Sequence, residues 1–170
     1  VKVALDLAAT DTSQDAKLTW VVDGVCRAIE DYCGRTFLAE SETEKLDGDG
    51  EDFILLKSPI ISVASLINDG TTLTVTTDYL VYSSLGKIRL LSSVFVEGPQ
   101  TVSVTYRHGW ESDKIPATIK SAAIMWSCKR FLDVKDSRVG VTSVSLGDQT
   151  IGYAQSMPTE IREMVQPYRV

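Results

Sequence analysis

The spacing of apolar residues changes twice along this chain, and those changes constrain its fold more than any motif. Over residues 13–33, Leu18, Val21, Val22, Val25, Ile29, Tyr32 and Cys33 recur at helical intervals. Over 37–107 the period falls to two, in short runs broken by turn residues. Over 116–132 helical spacing returns. The expected class is α+β: two long helices with an antiparallel sheet or small sandwich between them, a long extended arm and a short C-terminal helix.

Asp11 or Ser13 can cap the first helix, and Gly34 stands where a left-handed residue closes one. At about 100° per residue the apolar stripe leaves Trp20 on the polar face with Asp23, Arg27 and Asp31. Trp20 reads either as an isolated surface aromatic or as a contact with a neighbouring chain. Strands are expected at 42–46, 52–56, 62–67, 79–82, 87–91 and 101–106. Asp47-Gly48-Asp49-Gly50, Asn68-Asp69-Gly70, Ser84-Leu85-Gly86 and Glu97-Gly98-Pro99 supply the turns.

In the second helix Pro116 suits the first turn, where a missing N–H costs nothing. Ala117, Ile124, Cys128, Phe131 and Leu132 form one apolar stripe, and Ile119, Ala123 and Trp126 form another beside Lys120, Lys129 and Arg130. A helix apolar on two faces is buried between layers or between subunits. Residues 133–156 lack a long period but alternate around Val139, Val141, Val144 and Leu146, which fits an extended arm or hairpin. A helix over 158–166 places Ile161, Met164 and Val165 on one face. The expected organisation is one α+β domain over 1–132, the arm over 133–156, and a helix with tail over 157–170.

Charge narrows the function classes. The net charge of −6 comes from one segment, 40–52, with seven acids and one base. Removing these from the totals of 23 and 17 leaves 16 of each. A protein that grips nucleic acid shows a basic excess to neutralise phosphates, and this chain has none. No apolar run approaches the roughly 20 residues of a membrane span. Val1-Lys2-Val3-Ala4-Leu5-Asp6 lacks the apolar core of a signal peptide, and opening on valine points to residues lost ahead of it or a non-standard start. Cys26, Cys33 and Cys128, odd in number and without CxxC spacing, read as reduced thiols in the core.

Catalytic motifs are wanting. His108 is the single histidine, so multi-histidine metal sites and HExxH are excluded, and no GxSxG elbow accompanies it. Beside Gly109 it reads as a turn residue. Ser84-Leu85-Gly86-Lys87 matches the SxxK pattern formally but falls in a hairpin turn without its companion motifs. Asp47-Gly48-Asp49-Gly50-Glu51-Asp52 superficially resembles a calcium loop, yet Asp52 replaces the glycine at the sixth position and Ser58 the glutamate at the twelfth. No Walker loop or dinucleotide fingerprint occurs. The expectation is a non-enzyme with no catalytic residues, no metal site and no cofactor.

The order of segments carries a resemblance. Ala28-Ile29-Glu30-Asp31-Tyr32-Cys33-Gly34-Arg35-Thr36-Phe37 resembles the close of the first long helix in tailed-phage head–tail connector (adaptor, head completion) proteins. Pro59-Ile60-Ile61-Ser62-Val63, Asp69-Gly70-Thr71-Thr72 and Asp78-Tyr79 resemble that family's central strands. Tyr106, Gly109 and Trp110, followed by Ile115 to Ala122, resemble its entry into the second helix. Leu146-Gly147-Asp148 and the stretch from Ile161 to Arg169 complete a collinear match over most of the chain. His108, at a position usually small or hydroxylated, and the heavy acidic segment depart from the pattern.

The resemblance implies a structural virion protein at the head–tail interface, made in the host cytoplasm. It implies a twelve-fold homo-oligomeric ring below the portal protein, a lumen that passes double-stranded DNA without sequence-specific binding, and a surface for stopper or tail-completion proteins. No membrane is involved. The family's C-terminal segment is the portal-docking part, here Ile161, Met164, Val165, Pro167, Tyr168 and Arg169. A closed ring needs two different faces on each chain, for which Trp20, Arg27, Ile119, Trp126 and Arg130 are the inter-subunit candidates. Val139, Val141, Val144 and Leu146 are the candidate arm contacts. A balanced-to-acidic chain suits a conduit that must not retain phosphate. The alternative from the residues alone is a monomeric β-rich module whose acidic turn, 47–52, captures a basic or cationic ligand.

Overall fold

The computed structural model describes residues 1–136, 143–146, 149–152 and 157–170. The chain is α+β and divides into two compact units, one of Val1–Arg35 with Pro116–Val170 and one of Thr36–Ile115. The strand unit is thus an insertion in the sequence of the helical one.

In the helical unit, α1 (Asp15–Cys33) turns Leu18, Val21, Val25, Ile29 and Cys33 inward. Gly34 closes it at φ 68°, donating its N–H to the Glu30 carbonyl, a conformation that costs a residue without Cβ little. Neither expected cap serves its start. Gln14 holds that position without a side-chain bond, and the Asp11 carboxylate instead accepts the Ser13 N–H at 2.9 Å in a turn ahead of the helix.

Helix α2 (Ala117–Lys135) begins one residue after Pro116, which is extended at ψ 133°. It also runs past Leu132, so the first residues assigned to the arm are helical. Burial does not follow the two expected stripes. Ile119, Ala122, Trp126 and Phe131 are buried, whereas Ile124, Met125 and Leu132 are exposed. Beyond α2, β8 (Ser143–Leu146) and β9 (Gln149–Gly152) pair antiparallel, and α3 (Thr159–Val165) and a short 3-10 turn over Gln166–Tyr168 follow.

The strand unit holds two antiparallel sheets. One has the order β1 (Glu40–Gly48), β7 (Gly98–His108), β3 (Ile60–Asn68) and β4 (Thr71–Leu73). The other has the order β2 (Phe53–Leu55), β6 (Lys87–Leu90) and β5 (Tyr79–Tyr82). Ile60, Leu66, Val102, Val104 and Tyr106 of the first pack with Ile54, Tyr79, Ile88 and Leu90 of the second and with Phe95, forming one core.

Turn chemistry explains the hairpins. Asp69 and Gly70 both have positive φ, 47° and 78°, and form the two-residue loop that pairs Asn68 with Thr71. That turn was legible, but β4 behind it is three residues long and carries no period. Gly98, expected in a turn, opens β7 opposite Gly48. His108, read as a turn residue, is the last residue of β7 and is paired across the ladder with Glu40.

Candidate functional site

The helical unit contains an apolar groove of about 380 Å³. Trp20, Val21, Gly24, Val25 and Ala28 of α1 form one wall, and Trp126, Arg130 and Val134 of α2 form the other with Met157. Trp20 stands at the rim, 66% exposed, while Trp126 is 8% exposed on the inner wall. Three of the inter-subunit candidates, Trp20, Trp126 and Arg130, therefore converge on one concavity. Ile119 and Arg27 do not line it: Ile119 is core, and Arg27 is exposed elsewhere on α1. Of the stripe offered as a subunit contact, Ile119 is thus buried within the chain's own core while Trp126 lines the groove. A helix apolar most of the way round gives no local signal of which face its neighbours will cover.

The C-terminal candidates divide as well. Ile161 and Val165 are core residues of α3, so the two most apolar members of the proposed docking set are consumed by the chain's own packing. Met164 and Tyr168 are half-buried, and Pro167 and Arg169 are exposed. The tail is tied back to α1: Val170 donates its N–H to the Cys33 carbonyl at 3.0 Å, and the Arg169 guanidinium lies 5.5 Å from the Tyr32 ring centre. Of the arm candidates, Val139 and Val141 fall outside the described residues. Val144 and Leu146 lie in β8, where only the backbone is described.

The cysteines also part company with a common reading. All three are free, but only Cys33 is buried; Cys128 is intermediate and Cys26 exposed. Burial pushes the Cys33 thiol above its ordinary value. Partial desolvation of the sulfur, helped by the charges of Glu30 and Asp23, does the same to Cys26.

A polar cluster sits in the strand unit where β1 meets β7. Glu40, Glu42 and Glu44 alternate along β1 and so share one face, opposite His108, Tyr106 and Val104 of β7. Lys57, just past β2, reaches Glu42 Oε2 at 2.6 Å and Glu44 Oε1 at 3.9 Å. That ammonium holds the Glu42 carboxyl below its ordinary value, and Glu42 in turn raises Lys57. Tyr106 donates its hydroxyl to Glu44 at 2.5 Å and accepts the Lys57 N–H at 3.3 Å. Burial first, then the Glu44 bond, pushes that phenol well up. His108, only 2% exposed, brings Nε2 to 3.2 Å from Glu42 Oε2 and 3.5 Å from Glu40 Oε1. Inward-facing charge on a strand at the end of a sheet also opposes edge-to-edge pairing.

The acidic turn is engaged with its own chain. Asp47 Oδ1 accepts the Gln100 N–H at 2.7 Å, Asp49 Oδ1 accepts the Glu51 N–H at 3.0 Å, and Asp52 pairs with Arg89 at 2.7 Å. These bonds give the turn a folding role and lend no support to ligand capture there.

Comparison with known proteins settles the family. The model of the head completion protein family matches residues 2–170. The chain belongs to that family. It is a family of structural virion proteins rather than enzymes. Its fold is similar to that of a chain in the neck of a native gene transfer agent (GTA) particle computed with C12 symmetry. There the TM-score is 0.63 at 14% identity, covering 91% of this chain and 82% of that one. A chain from the neck of an empty GTA particle computed with C6 symmetry gives 0.62 at 16% identity, covering 91% and 78%. One from the virion of the native particle gives 0.61 at 16%, covering 96% and 80%. No curated protein matches the chain. Among the described residues no helix is long and apolar enough to cross a membrane.

Proposed function

We propose that this head completion protein is a head–tail adaptor. Its copies form a ring below the portal, extend the DNA channel, and offer a docking surface to stopper or tail-completion proteins. The observation that carries the reading is the family match over residues 2–170. The fold shared with a neck chain in a particle computed with C12 symmetry supports a cyclic, twelve-fold arrangement.

The groove between α1 and α2 seats part of the adjacent subunit, with Trp20 and Arg130 as its outer contacts. Portal docking falls to the part of the C-terminal set that the core leaves accessible: Pro167, Arg169 and the flanks of Met164 and Tyr168. The lumen passes double-stranded DNA loosely, because a chain balanced outside residues 40–52 offers phosphates no net attraction.

Negative-stain imaging of the protein mixed with its portal tests this. A ring stacked coaxially on the portal is expected, and absence of any complex refutes the reading. A truncation after Gln166 that stays folded by circular dichroism is expected to lose portal binding. Normal docking by that truncation would refute the C-terminal assignment alone.

A further inference from the structure

At the end of the β1–β7 ladder, two strands bring together donors that are far apart in the sequence. Glu40 and His108 are cross-strand partners, and Glu42, two residues along β1, projects from the same face. One ligand atom from each of the three residues lies within 4.8 Å of the others. We propose that Glu40, Glu42 and His108 bind a divalent transition-metal ion of the Zn²⁺ class, with water completing the coordination.

The donor set selects the class of ion. Imidazole nitrogen with carboxylate oxygen suits zinc and its first-row neighbours, whereas calcium and magnesium demand six or more oxygens. The two pairs that include His108 have the right spacing, and the partly exposed Glu40 carboxylate must close any remainder of the Glu40–Glu42 separation, which is within 4.8 Å. His108 Nε2 is 3.2 Å from Glu42 Oε2 and 3.5 Å from Glu40 Oε1. An ion about 2.1 Å from each donor would subtend angles of about 100° and about 110° across those pairs, close to tetrahedral.

Preorganisation and access are both present. The imidazole is nearly fully buried and leans on the Tyr106 ring at 5.3 Å between centroids, so its position is set by β7. The two carboxylates are partly exposed, leaving a path for the ion. The pocket already attracts a cation, since the Lys57 ammonium lies 2.6 Å from Glu42 Oε2. An incoming ion displaces that ammonium toward Glu44, whose Oε1 is 3.9 Å from it. Two carboxylates balance the ion's charge. Nε2 must present its lone pair, so in the bound form a neutral ring carries its proton on Nδ1. The ion would fasten the start of β1, which lies at one end of the sheet, to the end of β7.

The site was beyond sequence reading. Residues 42 and 108 are 66 positions apart, and only strand register joins them.

The test is calorimetric titration of the untagged, chelator-stripped full chain with ZnCl₂, paralleled by Co²⁺ absorption. One ion per chain and the intense visible bands of tetrahedral Co²⁺ are expected. Glu40→Gln, at a half-exposed position and checked for folding by circular dichroism, should weaken binding by about tenfold or more. His108→Gln should abolish it. Lys57→Met removes the competing ammonium and should tighten binding several-fold. A network that is merely structural has no reason to gain affinity on losing Lys57. Substoichiometric binding, Glu40→Gln binding as tightly as the parent, or Lys57→Met binding more weakly would each overturn the proposal.

Discussion

Gly24 is the position where stability and assembly separate most cleanly. It lies in the middle of α1, on the wall of the groove, and a Cβ built there meets nothing within 4 Å. Gly24→Ala therefore gains helix propensity without a steric penalty. Alanine is favoured over glycine in a helix interior by about 0.8–1 kcal/mol, mostly through the unfolded chain. Burial of part of one methyl against the groove adds at most a few tenths of a kcal/mol. The expected gain is about 1 kcal/mol, or about 2–4 °C in Tm for a chain of this size. Urea denaturation followed by far-UV circular dichroism measures it. Gly24→Leu, checked for folding in the same assay, places a larger side chain in the groove and should block ring formation on the portal. A destabilised Gly24→Ala would refute the open-groove geometry. Normal ring assembly by Gly24→Leu would refute the groove as a subunit contact while leaving the stability argument standing.

Other residues give independent checks. Asn68 donates to the Val94 carbonyl and accepts the Val96 N–H, both at 3.0 Å, so Asn68→Ala should cost about 1–3 kcal/mol in urea unfolding by losing two hydrogen bonds. Burial, and then the Asp78 charge, raise the Tyr79 phenol. A raised folded value means its contribution is complete below the unfolded value near 10 and is lost as pH rises through the folded one. Tyr79→Phe should therefore flatten the alkaline limb of the stability profile, and an unchanged limb would refute that origin. In native alkylation read by mass spectrometry, exposed Cys26 should be labelled before buried Cys33, yet more slowly than a free thiol at neutral pH. Equal labelling of the two would contradict the packing of α1.

Legibility in the sequence followed the range of the interactions involved. The end of α1 at Gly34 and the strand Tyr79–Tyr82 coincide with their expected limits, because capping and alternation act over a few residues. The faces of α2 were not legible. Apolar residues surround that helix, and burial of Ile119 and Trp126 rather than Ile124 and Leu132 reflects what packs on it. Trp20 was recognisable as an aromatic on a polar face. Its meeting with Trp126 and Arg130 in one groove required α1 and α2 to pack.

The acidic segment shows the same division. By itself the sequence determined that the whole net charge resides in 40–52, that the surrounding chain is α+β, and that its segments run in the order of a head completion protein. Only the tertiary structure decided what those acids do. Strand register set Glu42 beside His108, and folding carried Lys57 to Glu42, Arg89 to Asp52 and the Gln100 N–H to Asp47. Charge and periodicity are properties of neighbouring residues and survive in a linear string. Ion pairs and donor clusters depend on distances of a few ångströms between residues far apart in the chain, and those exist only once the sheets have formed.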